Sequence, residues 1–311
     1  MLILSGLAVA GLVLMAVAAD HLVIGASRIA SLLKISPVVV GVVVIGLGTS
    51  APEFLTAGLA AFRGEVALGL ASLVGSNIVN VTLLLGVAAL IAPIAVGSGT
   101  IRREGPMSVL GVAVFAVAVA LGLGIAVGLA LAAATLVAIW LLIRIARRAD
   151  EPPVASVAEL ATRKARPAVE IPRVVLGLAG TLFGAQLLVV NASELAGRLG
   201  VSPEVIGFTL VAVGTSLPEL VTAIQSQRRG ESDLVVGNLL GSNLFNSLAG
   251  GAIVALSAGT DPQFHLAPVL LALMVAISLL AWLLLWKGYR ASRKDAVVLI
   301  AVYAGCVPLL V

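Results

Sequence analysis

The chain has 311 residues, of which 60% are hydrophobic and only 11% charged, with a mean hydropathy of +1.18. A water-soluble domain carries about 25% charged residues, so a soluble enzyme, a nucleic-acid binder and a disordered chain are excluded. The net charge of +4 and pI near 9.7 read as basic membrane loops. The apolar runs are continuous and lack the period-two alternation of an outer-membrane barrel.

A run of about 20 apolar residues crosses a bilayer. Such runs predict ten spans, near 2–26, 37–61, 66–93, 107–122, 125–145, 174–197, 204–225, 233–257, 266–286 and 296–311. No Lys or Arg precedes the first run, so it reads as a membrane helix and not a cleaved leader. Spans four and five are parted only by the glycines of LGLGIAVG. The stretch 147–172 is a polar linker, read as cytoplasmic from its charge, where Ser156 and Glu159 have capping-box spacing for a short surface helix. The sole cysteine, Cys306, lies in the last run, so no internal disulfide and no thiolate cluster is expected.

Charge orients the spans. Of the 19 Lys and Arg residues, 17 follow odd-numbered spans and only Arg63 and Arg198 follow even ones. Positive residues stay in the cytoplasm. The expectation is a multi-pass protein of the cell (inner) membrane with both termini extracytoplasmic.

The two halves repeat without a gap at an offset of 166. Ser36-Pro37 matches Ser202-Pro203, Gly41 matches Gly207, GTSAPE at 48–53 matches GTSLPE at 214–219, Arg63-Gly64-Glu65 matches Arg229-Gly230-Glu231, and GSNIVN at 75–80 matches GSNLFN at 241–246. About 20 of 45 aligned positions are identical, which marks a duplication. Five spans per half invert the second copy. This predicts an all-α polytopic fold of ten transmembrane helices in two inverted repeats, 1–146 and 173–311, with a site near the midplane between them.

Glu53 and Glu219 fall in mid-span, where an ionised carboxylate is costly unless compensated, and neither span carries a Lys or Arg to pair with it. Pro52 and Pro218, with Gly48 and Gly214, are expected to break the helices at Gly-Thr-Ser and to free carbonyls near Gly46-Leu47 and Ala212-Val213. Thr49, Ser50, Thr215 and Ser216 add hydroxyls. The GSN motifs are expected to break the following spans in the same way. Ser76 and Asn80 share a helix face, as do Ser242 and Asn246, while Asn77 and Asn243 are expected to cap the broken ends. Every ligand in this set is oxygen, which suits a hard cation such as Ca²⁺. His21 and His265 lie near span ends, and Asp20 and Glu194 are assigned to the membrane surface. Spans one and six lack the break signature and are expected to be the moving elements.

The paired GTSxPE and GSNxxN motifs resemble the alpha repeats of the cation/Ca²⁺ exchanger superfamily, most of all prokaryotic sodium/calcium exchangers. The resemblance covers essentially the whole chain. It implies a secondary active antiporter, not an enzyme, that exchanges Ca²⁺ for Na⁺ by alternating access. Its implied ion ligands are Thr49, Ser50, Glu53, Ser76 and Asn80, with Thr215, Ser216, Glu219, Ser242 and Asn246. It implies no cofactor; the partners are the transported cations and the lipid bilayer, with no nucleic acid and no regulatory domain. Asn246 stands where several relatives carry Asp, which weakens a potassium-coupled or proton-binding reading. An H⁺/Ca²⁺ antiporter and, from a different class, a cation channel remain as alternatives.

Overall fold

The computed structural model describes residues 1–146, 165–201, 212–258 and 266–310. The expected surface helix at Ser156–Glu159, the Ser202-Pro203 and Gly207 positions, His265 and the first part of the seventh span lie outside the described residues.

Helices dominate. In chain order they are α1 (Leu2–Leu33), α2 (Pro37–Thr49), α3 (Ala51–Phe62), α4 (Val66–Ile91), α5 (Ser98–Leu121), α6 (Ile125–Ala146), α7 (Pro167–Arg198), α8 (Ala212–Thr215), α9 (Leu217–Arg228), α10 (Ser232–Ser257), α11 (Pro268–Trp286) and α12 (Arg293–Leu310). Among the described residues, seven helices are long and apolar enough to cross a bilayer, and α2 with α3 forms an eighth such span bent by 43°. Among the described residues the strand structure is a two-residue antiparallel pairing, β1 (Ile94–Ala95) with β2 (Arg290–Ala291), which ties the turn after α4 to the turn after α11.

Several helices outrun the apolar stretches that signalled them. α1 and α7 each have 32 residues, about 48 Å at 1.5 Å per residue, against a hydrocarbon core of about 30 Å. α7 begins at Pro167, so the end of the expected linker is helical. α5 begins at Ser98 and not near 107, so Arg102 and Arg103 are helical. The division between spans four and five does fall at the glycines: α5 stops at Leu121, Gly122 takes a φ of +99°, and α6 starts at Ile125.

The repeated Arg-Gly-Glu turns share one geometry. Gly64 and Gly230 have φ of +86° and +73°, a conformation that a Cβ resists. Glu65 N donates to Ala60 O, and Glu231 N donates to Ser226 O. These are the long closing bonds of a Schellman cap, so each turn ends one helix sharply and starts the next.

Packing inverts the plan of a water-soluble protein. Leu121, Leu136, Leu176 and Phe183 are exposed, while Thr49, Ser50, Glu53, Glu219, Asn238 and Asn243 are buried at the centre. Around that polar centre sit apolar clusters, one built on Leu70, Leu73, Ile78, Phe115 and Met274 and another on Val38, Val42, Phe245 and Leu248. Small residues let backbones touch, as they do between membrane helices generally. A Cβ on Gly241 would lie 2.6 Å from Val42 Cα, and one on Gly46 would lie 2.9 Å from Asn238 O, so α2 rests directly on α10. α1 and α7 pack against each other in the same manner through Gly11, Gly177 and Gly184.

A Cβ on Gly184 would meet the Met15 backbone nitrogen at 2.6 Å, and neither backbone can yield cheaply. Gly184→Ala is therefore expected to destabilise the protein by about 1–3 kcal/mol through overpacking. Thermal unfolding in detergent checks this; an unchanged melting temperature would mean that α1 and α7 do not lock through this contact.

Candidate functional site

Glu53 and Glu219 stand in the first turns of α3 and α9, each one residue after a proline at the helix start. Proline is tolerated there because that amide hydrogen would be unpaired. The positive end of the helix dipole favours a carboxylate at the same place. Both side chains are shielded from outside, at 1% and 0% exposure.

The two motifs serve each other. Ser50 Oγ donates to Glu219 Oε1 at 3.1 Å, and Ser216 Oγ donates to Glu53 Oε1 at 3.1 Å. Positions 50 and 216, like 53 and 219, differ by the repeat offset of 166, so each copy's serine holds the other copy's carboxylate. Ser216 Oγ also lies 3.5 Å from Ser76 Oγ, and Thr215 stands within reach of Glu53. Thr49 and Ser242 stand within reach of Glu219. Thr49 Oγ1 donates to Ile45 O at 2.9 Å, and Ser242 Oγ donates to Gly46 O at 3.3 Å.

The break at Gly-Thr-Ser is present in the first copy: α2 ends at Thr49, Ser50 is non-helical, and α3 leaves at 43°. In the second copy α8 ends at Thr215 and α9 starts at Leu217. The carbonyl of Gly46 is not left free, because it accepts from Ser50 N and from Ser242 Oγ, both at 3.3 Å.

The GSN motifs do not break their helices. α4 and α10 run straight through them, and each widens instead to a π-turn starting at the motif's last asparagine, Asn80–Leu84 and Asn246–Gly250. Such turns are common at functional sites. Nor are Asn77 and Asn243 helix caps. Asn77 Nδ2 donates to Ser247 Oγ at 2.9 Å, and Asn243 Nδ2 donates to Asn77 O at 2.9 Å, joining α4 to α10. Asn80 Nδ2 donates to Asn243 Oδ1 at 3.1 Å. Asn246 is fully buried and makes no hydrogen bond to another candidate among the described residues.

Four buried oxygens at these positions have no hydrogen-bond partner among the described residues: Glu53 Oε2, Glu219 Oε2, Asn80 Oδ1 and Asn246 Oδ1. Leaving such a group bare costs about 1–3 kcal/mol, and more when it is charged. Among the described residues no three of His, Cys, Asp and Glu cluster, so a cation here would be met by two carboxylates and neutral oxygens.

Sequence reading missed Asn238. It is fully buried, its Oδ1 accepts from Thr49 Oγ1 at 3.3 Å, and its Nδ2 donates to Glu219 O at 3.3 Å. Its signal was the spacing Asn238–Ser242–Asn246, one helix face in steps of four. Its repeat mate is Ser72, which hid it from a search for matched residues. Asp20, assigned to the membrane surface, has a charged partner. It forms a two-pronged ion pair with Arg229, at 2.5 and 2.6 Å, half shielded from solvent. Glu194 pairs with Arg198 at 2.8 Å on an exposed face.

The family model described as "Sodium/calcium exchanger protein" matches residues 3–146 and 171–311. The chain belongs to the sodium/calcium exchanger family. It is 31% identical to the sodium/calcium exchanger MaX1 of Methanosarcina acetivorans, covering 96% of both chains. It is 34% identical to the inner membrane protein YrbG of Escherichia coli, covering 91% of this chain and 90% of that one. A solved structure of the sodium-calcium exchanger NCX_Mj, soaked with Na⁺ and Sr²⁺, superposes with a TM-score of 0.86 at 31% identity, covering 99% of both chains. The family is one of membrane transporters whose transported ions are Na⁺ and Ca²⁺.

Asn238→Leu keeps the bulk but leaves Thr49 and the Glu219 carbonyl without their side-chain partner. Thr49 keeps its bond to Ile45 O, so the expected loss is about 0.5–1.5 kcal/mol, read as a lower unfolding temperature in detergent. Asn238→Leu with unchanged stability would show that these bonds carry no net energy.

Proposed function

We propose that this chain is a secondary active antiporter that exchanges Ca²⁺ for Na⁺ across the membrane by alternating access at an all-oxygen site near the midplane. The observation that carries the reading is the reciprocal pair Ser50–Glu219 and Ser216–Glu53, with one oxygen of each buried carboxylate left unpartnered among the described residues. In this reading the ion ligands come from Thr49, Ser50, Glu53, Ser76, Asn80, Thr215, Ser216, Glu219, Ser242 and Asn246. A divalent ion neutralises both carboxylates, and the neutral oxygens replace its water.

The same proposal takes 1–146 and 173–311 as two inverted five-helix repeats, joined by 147–172, ten helices in all. The family match in two blocks supports it, as does the exchange of hydrogen bonds at matched positions. The skew of basic residues supports a chain in the inner cell membrane with both termini outside.

Alternating access is supported by bonds that are made in one half and missing in the other. Ser27 Oγ donates to the buried Glu231 at 2.8 Å, whereas at the matched positions Ser193 Oγ is unpartnered among the described residues and Glu65 is exposed. Asp20 pairs with Arg229, whereas the matched Gln186 and Arg63 are both exposed. Asn80 Nδ2 bonds Asn243 Oδ1, whereas the matched atoms, Asn246 Nδ2 and Asn77 Oδ1, are both unpartnered among the described residues. A two-fold machine caught in one of two states has this pattern. α1, latched at Asp20 and Ser27, and its mate α7 are the moving elements.

Two outcomes test these readings. Glu53→Gln and Glu219→Gln are each expected to abolish Na⁺-driven ⁴⁵Ca²⁺ uptake into proteoliposomes while the protein stays folded, because one carboxylate cannot offset dehydration of a divalent ion. Near-normal uptake by either variant sinks the site. Asp20→Asn removes the ion pair that holds α1 to the Arg229 turn. Amide hydrogen exchange in 228–234 is then expected to speed up several-fold, while Gln186→Asp, which supplies at the matched position the acid that Arg63 lacks, slows exchange in 63–67. If Asp20→Asn leaves 228–234 unchanged, that pair is no latch.

A further inference from the structure

A second polar feature lies away from the carboxylate pair. Where α1 and α7 leave their apolar runs, a cavity of about 440 Å³ opens between them, lined by His21, Ile24, Arg28, Arg166, Val169, Glu170 and Arg173. The ion site uses none of these residues.

Its charges do not balance internally. Glu170 is the one acid in the lining, buried to 2% exposure, and both of its oxygens are taken: Oε1 accepts from Arg28 Nη1 at 2.9 Å and Oε2 from Arg173 Nη1 at 2.7 Å. Each of those guanidiniums offers five N–H donors and spends one nitrogen on Glu170. Arg28 Nε is shielded and has no hydrogen-bond partner among the described residues. Arg166 has no ion pair among the described residues. Three arginines against one glutamate leave a surplus of two positive charges, with His21 beside them. Glu170 orients two of the guanidiniums and lowers their cost of approach, yet leaves the slot cationic.

Its position fixes what kind of anion fits. The basic groups begin where the apolar runs of α1 and α7 stop, at the depth where lipid phosphates lie. Both walls carry the same stripe. On α1 it runs Val17, His21, Ile24, Arg28, and on α7 Leu176, Arg173, Val169, with Arg166 at the cap just before the helix. In each, the spacing keeps the residues on one helix face, with the end arginine outermost and the end aliphatic residue toward the bilayer interior. Val17, Val169 and Leu176 are exposed, so an apolar track leads from the arginines down the outside of the helix pair. A soluble phosphate has no use for such a track, but an acyl chain does.

We propose that this cleft is a binding slot for an anionic phospholipid, its phosphate held by Arg28, Arg166 and Arg173 and its acyl chain laid along Val169 and Leu176. Arginine suits the role because its planar fork matches phosphate oxygens. Basic pockets between membrane helices recognise lipid headgroups by this chemistry. A seated lipid would bridge α1 and α7 at the end where they project from the bilayer. The slot stands whether or not the ion-exchange reading does, because its test is a binding measurement.

The test is native mass spectrometry of the full chain in detergent, titrated with phosphatidylglycerol, phosphatidylcholine or soluble glycerol 3-phosphate. The parent is expected to hold phosphatidylglycerol at least tenfold more tightly than phosphatidylcholine. Arg166→Gln is expected to weaken phosphatidylglycerol binding about fivefold, and Arg166→Gln with Arg173→Gln about 25-fold, from a contribution of about a factor of five per basic residue. Arg198→Gln, at the opposite end of α7, should leave it unchanged. Arg166→Gln disturbs no ion pair seen among the described residues, so it carries the test alone if the double variant fails to fold. Equal retention of the two lipids overturns the proposal. So does an unchanged affinity in Arg166→Gln. Glycerol 3-phosphate bound as tightly as phosphatidylglycerol overturns the lipid assignment.

Discussion

The bundle is arranged around two carboxylates whose apolar spans carry no basic residue to pair with them. In an apolar environment an ionised carboxylate costs several kcal/mol unless its lone pairs are engaged. Here one oxygen of each accepts a serine hydroxyl from the opposite copy, and the helix start supplies a favourable dipole. Ser242, from Glu219's own copy, stands within reach as well. The interlocking of the halves thus contributes to holding the charge.

That dependence explains the glycines. A serine hydroxyl reaches a carboxylate across two helices only if the backbones approach closely. Gly46 and Gly241 allow α2 to lie against α10, with a Cβ at either position forced to within 2.9 Å or less of backbone atoms. The π-turns at Asn80 and Asn246 widen the neighbouring helices at the same level and turn the two asparagines inward. Small residues, widened turns and broken helices thus serve one end, which is polar atoms concentrated in the middle of an apolar protein.

The duplication made most of this legible in the sequence. Matched GTSxPE motifs located both carboxylates and the break at Ser50, while the matched Arg-Gly-Glu segments, read only as part of the repeat, form two like helix caps in the structure. The errors have physical causes. Gly-Ser-Asn favours turns in water because its side chains compete for backbone groups. Inside a bilayer the backbone has no water to turn to, so the helix persists and the asparagines bond across to the next helix. Helix boundaries were read from apolarity, which reports the hydrocarbon edge and not the helix end; α1, α5 and α7 continue into charged residues. Asn238 was hidden because its mate is serine, so symmetry alone could not flag it. The Asp20–Arg229 pair joins positions 209 apart, a separation no local pattern encodes.

On the proposed reading, with Glu53 and Glu219 ionised, one Ca²⁺ or two Na⁺ bring the site to neutrality, and an empty site keeps two negative charges in an apolar bundle. Moving α1 and α7 past such a site would drag uncompensated charge through low dielectric, whereas a loaded site crosses nearly neutral. That difference favours exchange over leak without any gate dedicated to it. It also gives Asn246 a role. A third carboxylate at that buried position would leave a Ca²⁺-loaded site one charge negative, while the amide keeps the loaded site neutral and still offers an oxygen. The amide is therefore the residue consistent with a site that changes state only when filled.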